Sequence, residues 1–426
     1  MNPCLLSEAE GRRNVNYLAT LDFIISLGFG LILPLFPLYV LLLGGGGLEV
    51  GILFSSFVLT RAILATPFGN LSDRIGRKRL ILIGSFLYAF LALLFTVPDT
   101  WSGLILVRGL QGVASAMVWP VSEALVIDSC PAERRGASLG KIVMSSNLGM
   151  VLGPFVGAGL FLFAEEVLGF TGANSYKFPF YITAAVSLAG AILVWAYVTD
   201  ARLPQEQKRK ISFRKLLRPD GMDKPGLRNL NLLYANAAME GFSFSSIGPL
   251  MVLFLSDKYE LTADVAALVI GIGMGLGALV AYPSGRLADR LGKKKMFVLG
   301  GYIAFVGTIL IPFGWVLLAA ILFLGMRSMA FQVASPALRA MQADAVPSEI
   351  RGRLIGMLES MSNIGSVIGA PVGGLLWDAF SGRDIGLSWL MDGTMIPFIV
   401  SGLMGLFTVS LVLLFVKERR LAASLD

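Results

Sequence analysis

Long apolar runs alternate with short polar breaks along almost the whole chain. Each run is roughly 20 residues or longer, the length that an α-helix needs to cross a hydrocarbon core about 30 Å thick. A helix satisfies its own backbone hydrogen bonds in lipid, and the runs are too long for the strands of a membrane barrel. We therefore predict an all-α membrane protein whose twelve transmembrane helices occupy residues 15–43, 47–68, 79–97, 101–129, 136–164, 178–199, 228–256, 262–285, 295–313, 315–343, 353–380 and 392–416.

The composition agrees with a membrane protein and excludes several other classes. Of the 426 residues, 55% are hydrophobic and only 15% are charged, too few polar residues to cover a soluble globule. Histidine is absent, which excludes imidazole catalysis and ordinary zinc sites. The segment "GASLGKI" at 136–142 is one residue short of a P-loop and lacks the hydroxyl residue after its lysine. We expect no enzymatic activity, no cofactor and no metal site.

The basic residues predict the orientation in the membrane. With both termini in the cytoplasm, only Lys177, Lys258 and Arg383 fall in outward segments, as the positive-inside rule requires. The net charge of +7 therefore marks a face that meets anionic lipid, and no nucleic-acid motif accompanies it. We predict a multi-pass protein of the cell membrane that binds no nucleic acid. Cys4 and Cys130 fall on the reducing side, where no disulfide is expected.

The second half of the chain repeats the first at an offset of 216 residues. The segment "GNLSDRIGRKRLIL" at 69–82 returns as "GRLADRLGKKKMFV" at 285–298. The register continues from Pro120 and Pro336 to Gly157 and Gly373, which indicates a duplicated six-helix unit. We predict a first bundle at residues 1–199, a charged cytoplasmic linker at 200–227 and a second bundle at 228–426.

Two parallel six-helix halves resemble the major facilitator superfamily. The loop motif of that superfamily between its second and third helices is similar to Gly69, Asp73, Arg74, Gly76, Arg77 and Lys78 here. The resemblance implies the major facilitator fold, with two pseudosymmetric bundles that give alternating access to a site near the membrane midplane. A plain positive-inside loop is the alternative, but it does not explain Asp73 or Gly69.

A second polar motif, "DSCPAERRGASLG" at 128–140, has its copy in "DAVPSEIRGRLIG" from Asp344. The resemblance implies that its acids and arginines join the loop motif in a network when the cytoplasmic side is closed. Helix capping is the alternative for these residues. The predicted gating residues are Gly69, Asp73, Arg74, Gly76, Arg77, Asp128, Glu133 and Arg135, and in the second half Gly285, Asp289, Arg290, Gly292, Asp344, Glu349 and Arg351.

The fourth predicted helix contains "LVRGLQGVASA". Arg108, Gln111 and Gly112 are similar to the arginine and Gln-Gly motif of proton-coupled antiporters in the superfamily. An arginine inside a membrane helix costs about 2.5 to 3.5 kcal/mol and needs a partner or water. The resemblance implies that Arg108 tunes the movement of a proton on a neighbouring acid, and a structural ion pair is the alternative.

The fifth predicted helix contains "GMVLGPFVG", with Gly149, Gly153 and Gly157 four residues apart and Pro154 among them. Glycines at this spacing share one helix face, so another helix can pack closely there and bend around the proline. In the superfamily this pattern marks drug-type antiporters, and the resemblance therefore implies export. Close packing alone is the alternative.

Four acids fall inside predicted spans: Asp22, Glu123, Glu240 and Glu359. At about 2.5 kcal/mol each they would cost roughly 10 kcal/mol, so chance retention is a poor explanation. A desolvated carboxyl group favours its protonated form and can release the proton after a rearrangement. Asp22 and Glu240 are the leading candidates for proton coupling, with Glu123 next, although Glu123 can instead pair with Arg339. Glu359 lies near the cytoplasmic end of its helix, where water can reach it.

These observations predict a proton-coupled antiporter that exports small amphipathic or drug-like compounds and acts as a monomer in the lipid bilayer. Alternatives are a proton symporter or uniporter for a nutrient, an exporter of an anionic or lipid-like substrate, and a receptor or scaffold without transport. Phe23, Phe242, Phe244 and Met239 can line a pocket, or can simply pack helices and face lipid. The predicted substrate cavity contains Arg61, Gln111, Met239, Phe242, Arg327 and Arg339.

Overall fold

The computed structural model describes residues 6–200, 224–344, 351–383 and 392–415, without the side chains of 132, 224–225, 281–283, 285–290, 343–344 and 351–354. All regular secondary structure in these residues is helical. The α-helices are α1 (Glu8–Ile32), α2 (Leu35–Leu42), α3 (Gly47–Ile75), α4 (Arg77–Leu94), α5 (Trp101–Ser129), α6 (Arg135–Leu162), α7 (Ala173–Tyr197), α8 (Lys224–Ile247), α9 (Leu250–Tyr259), α10 (Ala263–Leu291), α11 (Lys293–Leu310), α12 (Leu317–Asp344), α13 (Arg351–Phe380) and α14 (Ile396–Phe415).

The predicted all-α membrane protein is confirmed. Ten helical segments of the described chain are long and apolar enough to cross a membrane. The two other long helices, α4 and α13, occupy the third and eleventh predicted spans, and α4 begins with three consecutive basic residues. Helix α5 has the predicted bounds, and Thr100 caps its start by accepting a hydrogen bond from the backbone N–H of Gly103.

The first and seventh spans differ from the prediction, which made each of them one continuous helix. The first consists of α1 and α2, and the seventh of α8 and α9. The break falls at Pro34 in the first span and at Pro249 in the seventh, and each proline is the N-cap of the piece that follows. Proline has no N–H to continue the helical hydrogen bonds and its ring crowds the preceding turn, so the chain starts a new helix there.

The described residues fall into two compact units. The first lies within Met1–Lys208 together with Pro249–Gly271, and the second within Arg209–Gly248 together with Ile272–Asp426. In the first unit, buried rings of Phe36, Phe95 and Phe180 contact one another with centroids 5.0 to 5.4 Å apart. In the second unit, the apolar core joins α8, α11, α12, α13 and α14, with buried side chains such as Leu233 and Phe297.

Inside each unit, glycines of one helix lie against the backbone of another. In the first unit, a Cβ added to Gly153 of α6 would lie 2.6 Å from Gly30 Cα of α1. In the second unit, a Cβ added to Gly369 of α13 would lie 2.7 Å from Phe242 Cα of α8. Gly149 and Gly157 extend the first contact along α6, and Pro154 is buried beside them without interrupting the helix. A side chain at either contact would force the helices apart.

The ends of the helices repeat at the same offset as the sequence. Helix α3 ends at Ile75 and α4 begins at Arg77, while α10 ends at Leu291 and α11 begins at Lys293. The residue between each pair is a glycine with positive φ, 103° at Gly76 and 96° at Gly292. L-residues with side chains rarely adopt this conformation, so the turn itself requires glycine in both copies.

Candidate functional site

Asp22 is the most deeply buried acid in the described residues, with no exposed surface. It lies on α1, where its neighbours on the helix, Leu21 and Ile25, are also buried. Its Oδ2 accepts a long hydrogen bond of 3.4 Å from Ser122 Oγ of α5, and its Oδ1 has no hydrogen-bond partner. Within the described residues, no lysine or arginine forms an ion pair with Asp22. A carboxylate here is desolvated without compensation.

Glu123 is the residue after Ser122, and its carboxyl group interacts electrostatically with that of Asp22. The side chain of Glu123 is exposed, unlike that of Asp22. Two carboxyl groups whose charges interact cannot both ionise freely when one is buried.

Arg108 of α5 lies in an aromatic cage in the first unit. It is 1% exposed, and its guanidinium carbon lies 4.5 to 5.7 Å from the ring centroids of Phe29, Phe36, Phe54 and Phe57. Arg108 also donates a short hydrogen bond to Gln111 Oε1 on the next turn. In the part of the chain that the structure describes, no carboxylate pairs with Arg108. The positive charge is held by ring faces and a neutral amide, so the ion pair considered from the sequence is not formed here.

Unused hydrogen-bond donors accompany this arginine in the first unit. Arg108 Nε, Gln111 Nε2, Ser115 Oγ and the hydroxyl of Tyr88 are buried and have no partner in the described structure. Gln111 and Ser115 follow Arg108 along one face of α5, and the charge of Arg108 reaches Tyr88 on α4. Unpaired buried donors are costly.

The second unit has its own candidate site around Glu240 of α8. Glu240 is half-buried and borders a cavity of about 10 Å³, room for roughly one water molecule. Asn236, one turn earlier on α8, borders the same cavity, is 2% exposed, and has no partner for its Nδ2. Phe305 and Phe331 contribute apolar walls. The charge of Arg339 reaches Glu240, although the Arg339 side chain itself is exposed.

Three residues of the predicted first gate lie together in a cluster of charges. Arg77, the first residue of α4, forms ion pairs with Asp128 at 2.7 Å and with Asp73 at 3.3 Å. The Arg77 and Asp128 side chains are only 14% and 8% exposed, so water screens their attraction weakly. Glu133, Arg135 and Arg74 are exposed, and the two ion pairs of Arg77 do not include them. The gating role of the predicted residues stays a prediction.

Asp200 is part of the same cluster, and the sequence interpretation missed it. Its Oδ1 accepts hydrogen bonds from the backbone N–H groups of Arg77 and Lys78, at 3.2 and 3.4 Å. It therefore supplies the anionic cap that Gly76 cannot provide at the start of α4. Any Cβ on Gly76 would collide with the Asp200 carboxylate. The sequence signal that could have identified Asp200 is its place at the end of the sixth predicted span, directly before the basic linker.

Most of the second gate falls outside the described side chains. Gly292 is described and adopts the conformation of Gly76. Glu349 lies outside the described residues, and for Gly285, Asp289, Arg290, Asp344 and Arg351 the structure describes the helical backbone only. The gating role of this copy stays a prediction.

The predicted cavity residues divide between the two units. In the first, Arg61 of α3 is half-buried with its guanidinium carbon 5.0 Å from the ring centroid of Trp119. In the second, Arg327 of α12 donates to Thr308 Oγ1 at 3.0 Å and lies 5.5 Å from the ring centroid of Phe244. Met239, Phe242 and Phe23 are half-buried, and Phe244 and Glu359 are exposed. Their roles toward a substrate stay predictions.

A model of the Major Facilitator Superfamily matches residues 18–232 and 233–425. The chain belongs to the major facilitator superfamily. It is therefore a multi-pass membrane protein and a transporter of small molecules, and it is not an enzyme. The membership predicted from the loop motif and the repeat is confirmed, and so is the major facilitator fold.

Two relatives within the superfamily cover most of the chain. Multidrug resistance protein 2 of Bacillus subtilis is 25% identical over 413 residues, which are 95% of each protein. Quinolone resistance protein NorA of Staphylococcus aureus is 26% identical over 364 residues, which are 84% of this chain and 88% of NorA.

Solved structures of the superfamily share the architecture at lower identity. A bacterial homologue of the human lysosomal transporter Spinster, inward-facing and unoccupied, has a TM-score of 0.72 and 16% identity, with 97% of this chain and 95% of that chain covered. The nucleoside transporter NupG has a TM-score of 0.71 and 14% identity, with 95% of this chain and all of that chain covered. At this identity the likeness shows the fold alone.

Proposed function

We propose that this transporter is a proton-coupled antiporter that exports small amphipathic, drug-like compounds. The names of its relatives, a multidrug resistance protein and a quinolone resistance protein, support export of such compounds. The Gly149-Gly153-Pro154 pattern of α6, which resembles that of drug-type antiporters, supports the same direction. The distribution of basic residues supports a cell-membrane protein with both termini in the cytoplasm.

The main observation in support of proton coupling is the environment of Asp22. A fully buried carboxyl group with one unpartnered oxygen and no ion-pair partner in the described residues is costly when charged. A proton on Oδ1 removes the charge, while Ser122 continues to donate to Oδ2. Such a group binds a proton where it is dry and releases it when water enters.

Arg108 has a supporting role in this mechanism. Its charge has no carboxylate partner in the described residues and lies on α5, the helix that also contributes Ser122. Any opening of the Phe cage would let the guanidinium attract the anionic form of a nearby acid. Arg108 would thereby favour proton release in one conformation only. Glu240, beside its one-water cavity, is the corresponding proton site of the second unit.

The energy of one proton is sufficient for export. Movement of one charge through about 100 mV supplies about 2.3 kcal/mol, which sustains roughly a 50-fold gradient of a neutral compound. No nucleotide-driven step is needed for a gradient of that size.

The test uses purified full-length protein in proteoliposomes with an imposed proton gradient and a fluorescent amphipathic dye. We expect Asp22→Asn to abolish uphill dye transport and the accompanying proton flux, because the amide cannot exchange a proton. Downhill dye exchange should remain, since the substrate pathway is intact. Glu166→Gln, an exposed acid beyond α6, is the matched control and should transport like the unmodified protein.

Glu240→Gln is measured in the same way to separate the two acids. Loss of uphill transport in both variants would indicate that each unit carries a required proton site. Normal proton-driven transport by both variants would refute proton coupling through Asp22 and Glu240. Uphill accumulation in the direction of the proton gradient would instead identify a symporter.

A further inference from the structure

A cavity of about 390 Å³ lies at the amino-terminal end of α1 in the first unit. It is bounded by the first turns of α1 and by the turn between α5 and α6, and we call it the α1 cavity. Its volume falls in the range of small-molecule sites. Asp22 and Arg108 do not border it, so it is separate from the proposed proton site.

The mouth of the α1 cavity is positively charged. Arg12 and Arg134 both border it and both donate to the same oxygen of Glu8, Arg12 at 2.8 Å. Two guanidinium groups thus share one carboxylate, which leaves a net positive charge. A third cation, Lys141, donates to Oδ1 of Asn16 at 2.6 Å, and Asn16 also borders the cavity.

The charged groups at the mouth can reach an anion. Side chains of Arg12 and Arg134 are 67% and 52% exposed, so each keeps donors beyond those used by Glu8. Guanidinium groups with free donors bind phosphate oxygens in pairs. A phosphate group at the mouth would balance the surplus charge.

The rest of the lining is mostly apolar. Gly11, Val15 and Cys130 are buried and Pro131 is exposed, and serine hydroxyl groups also border the cavity. Cys130 is buried and its Sγ lies 3.2 Å from Ser138 Oγ. A ligand with a phosphate at one end and an apolar body at the other matches this arrangement of charged and apolar walls.

We propose that the α1 cavity binds the phosphate of an anionic phospholipid from the cytoplasmic leaflet. The distribution of basic residues predicts that this end of α1 faces the cytoplasm. Basic pockets between transmembrane helices on that side are known sites for lipid headgroups. A free phosphate compound has the same charge, but it has no apolar body to contact Val15 and Pro131. This inference does not rest on proton coupling or on the direction of transport.

Cys130 provides a direct reporter of occupancy. The chain has two cysteines, so in a Cys4→Ser background Cys130 is the single thiol. The full-length protein is reconstituted in vesicles of phosphatidylcholine alone or with added phosphatidylglycerol. The initial rate of Cys130 modification by N-ethylmaleimide is then followed by mass spectrometry. This reagent is uncharged, so the surface potential does not change its local concentration.

We expect phosphatidylglycerol to slow the modification about five-fold, the effect of one net charge near an anionic surface. The double variant Arg12→Gln with Arg134→Gln should lose this dependence on lipid. Arg79→Gln, an exposed basic residue on α4 that does not border the cavity, should keep it. A thermal unfolding measurement on each variant verifies that the fold is retained.

Three outcomes would overturn the proposal. Equal rates in both kinds of vesicle would show that the cavity has no preference for anionic lipid. Loss of the dependence in Arg79→Gln would show a general effect of surface charge. Protection of Cys130 by inorganic phosphate in phosphatidylcholine vesicles would assign the cavity to soluble phosphate compounds instead.

Discussion

Gly153 of α6 lies against the backbone of α1, and the structure leaves no room for a methyl group there. A Cβ at this position would lie 2.6 Å from Gly30 Cα and 2.6 Å from Leu31 N. Both atoms belong to the backbone, so no side chain can rotate away to relieve the contact. We predict that Gly153→Ala forces α1 and α6 apart.

Gly159 on the same helix is the matched control, because a Cβ there would meet nothing within 4 Å. In both variants alanine gains about 0.8 to 1.0 kcal/mol of helix propensity over glycine. Only Gly153→Ala also pays for overpacking, typically about 1 to 3 kcal/mol. The free energies of unfolding of the two variants should therefore differ by about 1 to 3 kcal/mol, with Gly159→Ala the more stable.

The assay is thermal unfolding of both variants in the same detergent at one heating rate, since unfolding of such proteins is often irreversible. For a unit of roughly 200 residues, 1 kcal/mol corresponds to about 2 to 4 °C in Tm, so we expect a separation of about 2 to 12 °C. Gly369→Ala should behave like Gly153→Ala, because Phe242 Cα would lie 2.7 Å from its Cβ. Equal Tm values for Gly153→Ala and Gly159→Ala would refute the backbone contact.

Two further predictions concern charged residues of the first unit. Asp200→Asn should lower the free energy of unfolding by about 0.5 to 2 kcal/mol, because it removes the anion that caps α4. The control is Asp257→Asn, at an exposed acid near the carboxyl end of α9. In the same unfolding assay this control should leave the stability unchanged or raise it. Arg108→Gln should lower the stability by about 1.5 to 3 kcal/mol, because it removes the charged hydrogen bond to Gln111 and the contacts with the phenylalanine rings. It should also abolish uphill dye transport, and normal transport by this variant would contradict the role given to Arg108.

The helices and the repeat could be predicted because both follow from local chemistry. A bilayer requires long apolar helices, and Thr100 before the fourth span supplies a recognisable cap. The turn between α3 and α4 requires a positive φ at Gly76, so its copy at Gly292 keeps the glycine. Such patterns can be recognised in a sequence because each residue determines the conformation or the hydrogen bonds of the backbone next to it.

The breaks at Pro34 and Pro249 could not be predicted from the prolines themselves. Pro67, Pro120 and Pro154 lie inside uninterrupted helices. Membrane helices tolerate proline when neighbouring groups satisfy the freed backbone, so the same residue interrupts one helix and not another. Which outcome occurs depends on the packing around each proline, and packing is a tertiary property.

The candidate site could be predicted only in part, because the orientation of its side chains also depends on tertiary packing. The burial cost of a charge identified Asp22 as a functional candidate. Its partner Ser122 is 100 residues away in sequence, and the rings around Arg108 come from three different helices. Sequence spacing gives the depth of a residue in the membrane but not which way its side chain points between helices. Glu123 illustrates this, because its side chain is exposed while the adjacent Ser122 is buried.

The interruption at Pro34 has a mechanical consequence for the first span. When a continuous helix tilts, its whole length moves, whereas two helices joined at a proline can tilt independently of each other. The contact of Gly30 with Gly153 holds α1, the helix that carries Asp22, while α2 is held separately through buried Phe36 and Tyr39. Pro34 thus divides the first span into two separately packed helices, so a change in the packing of α2 does not require Asp22 to move.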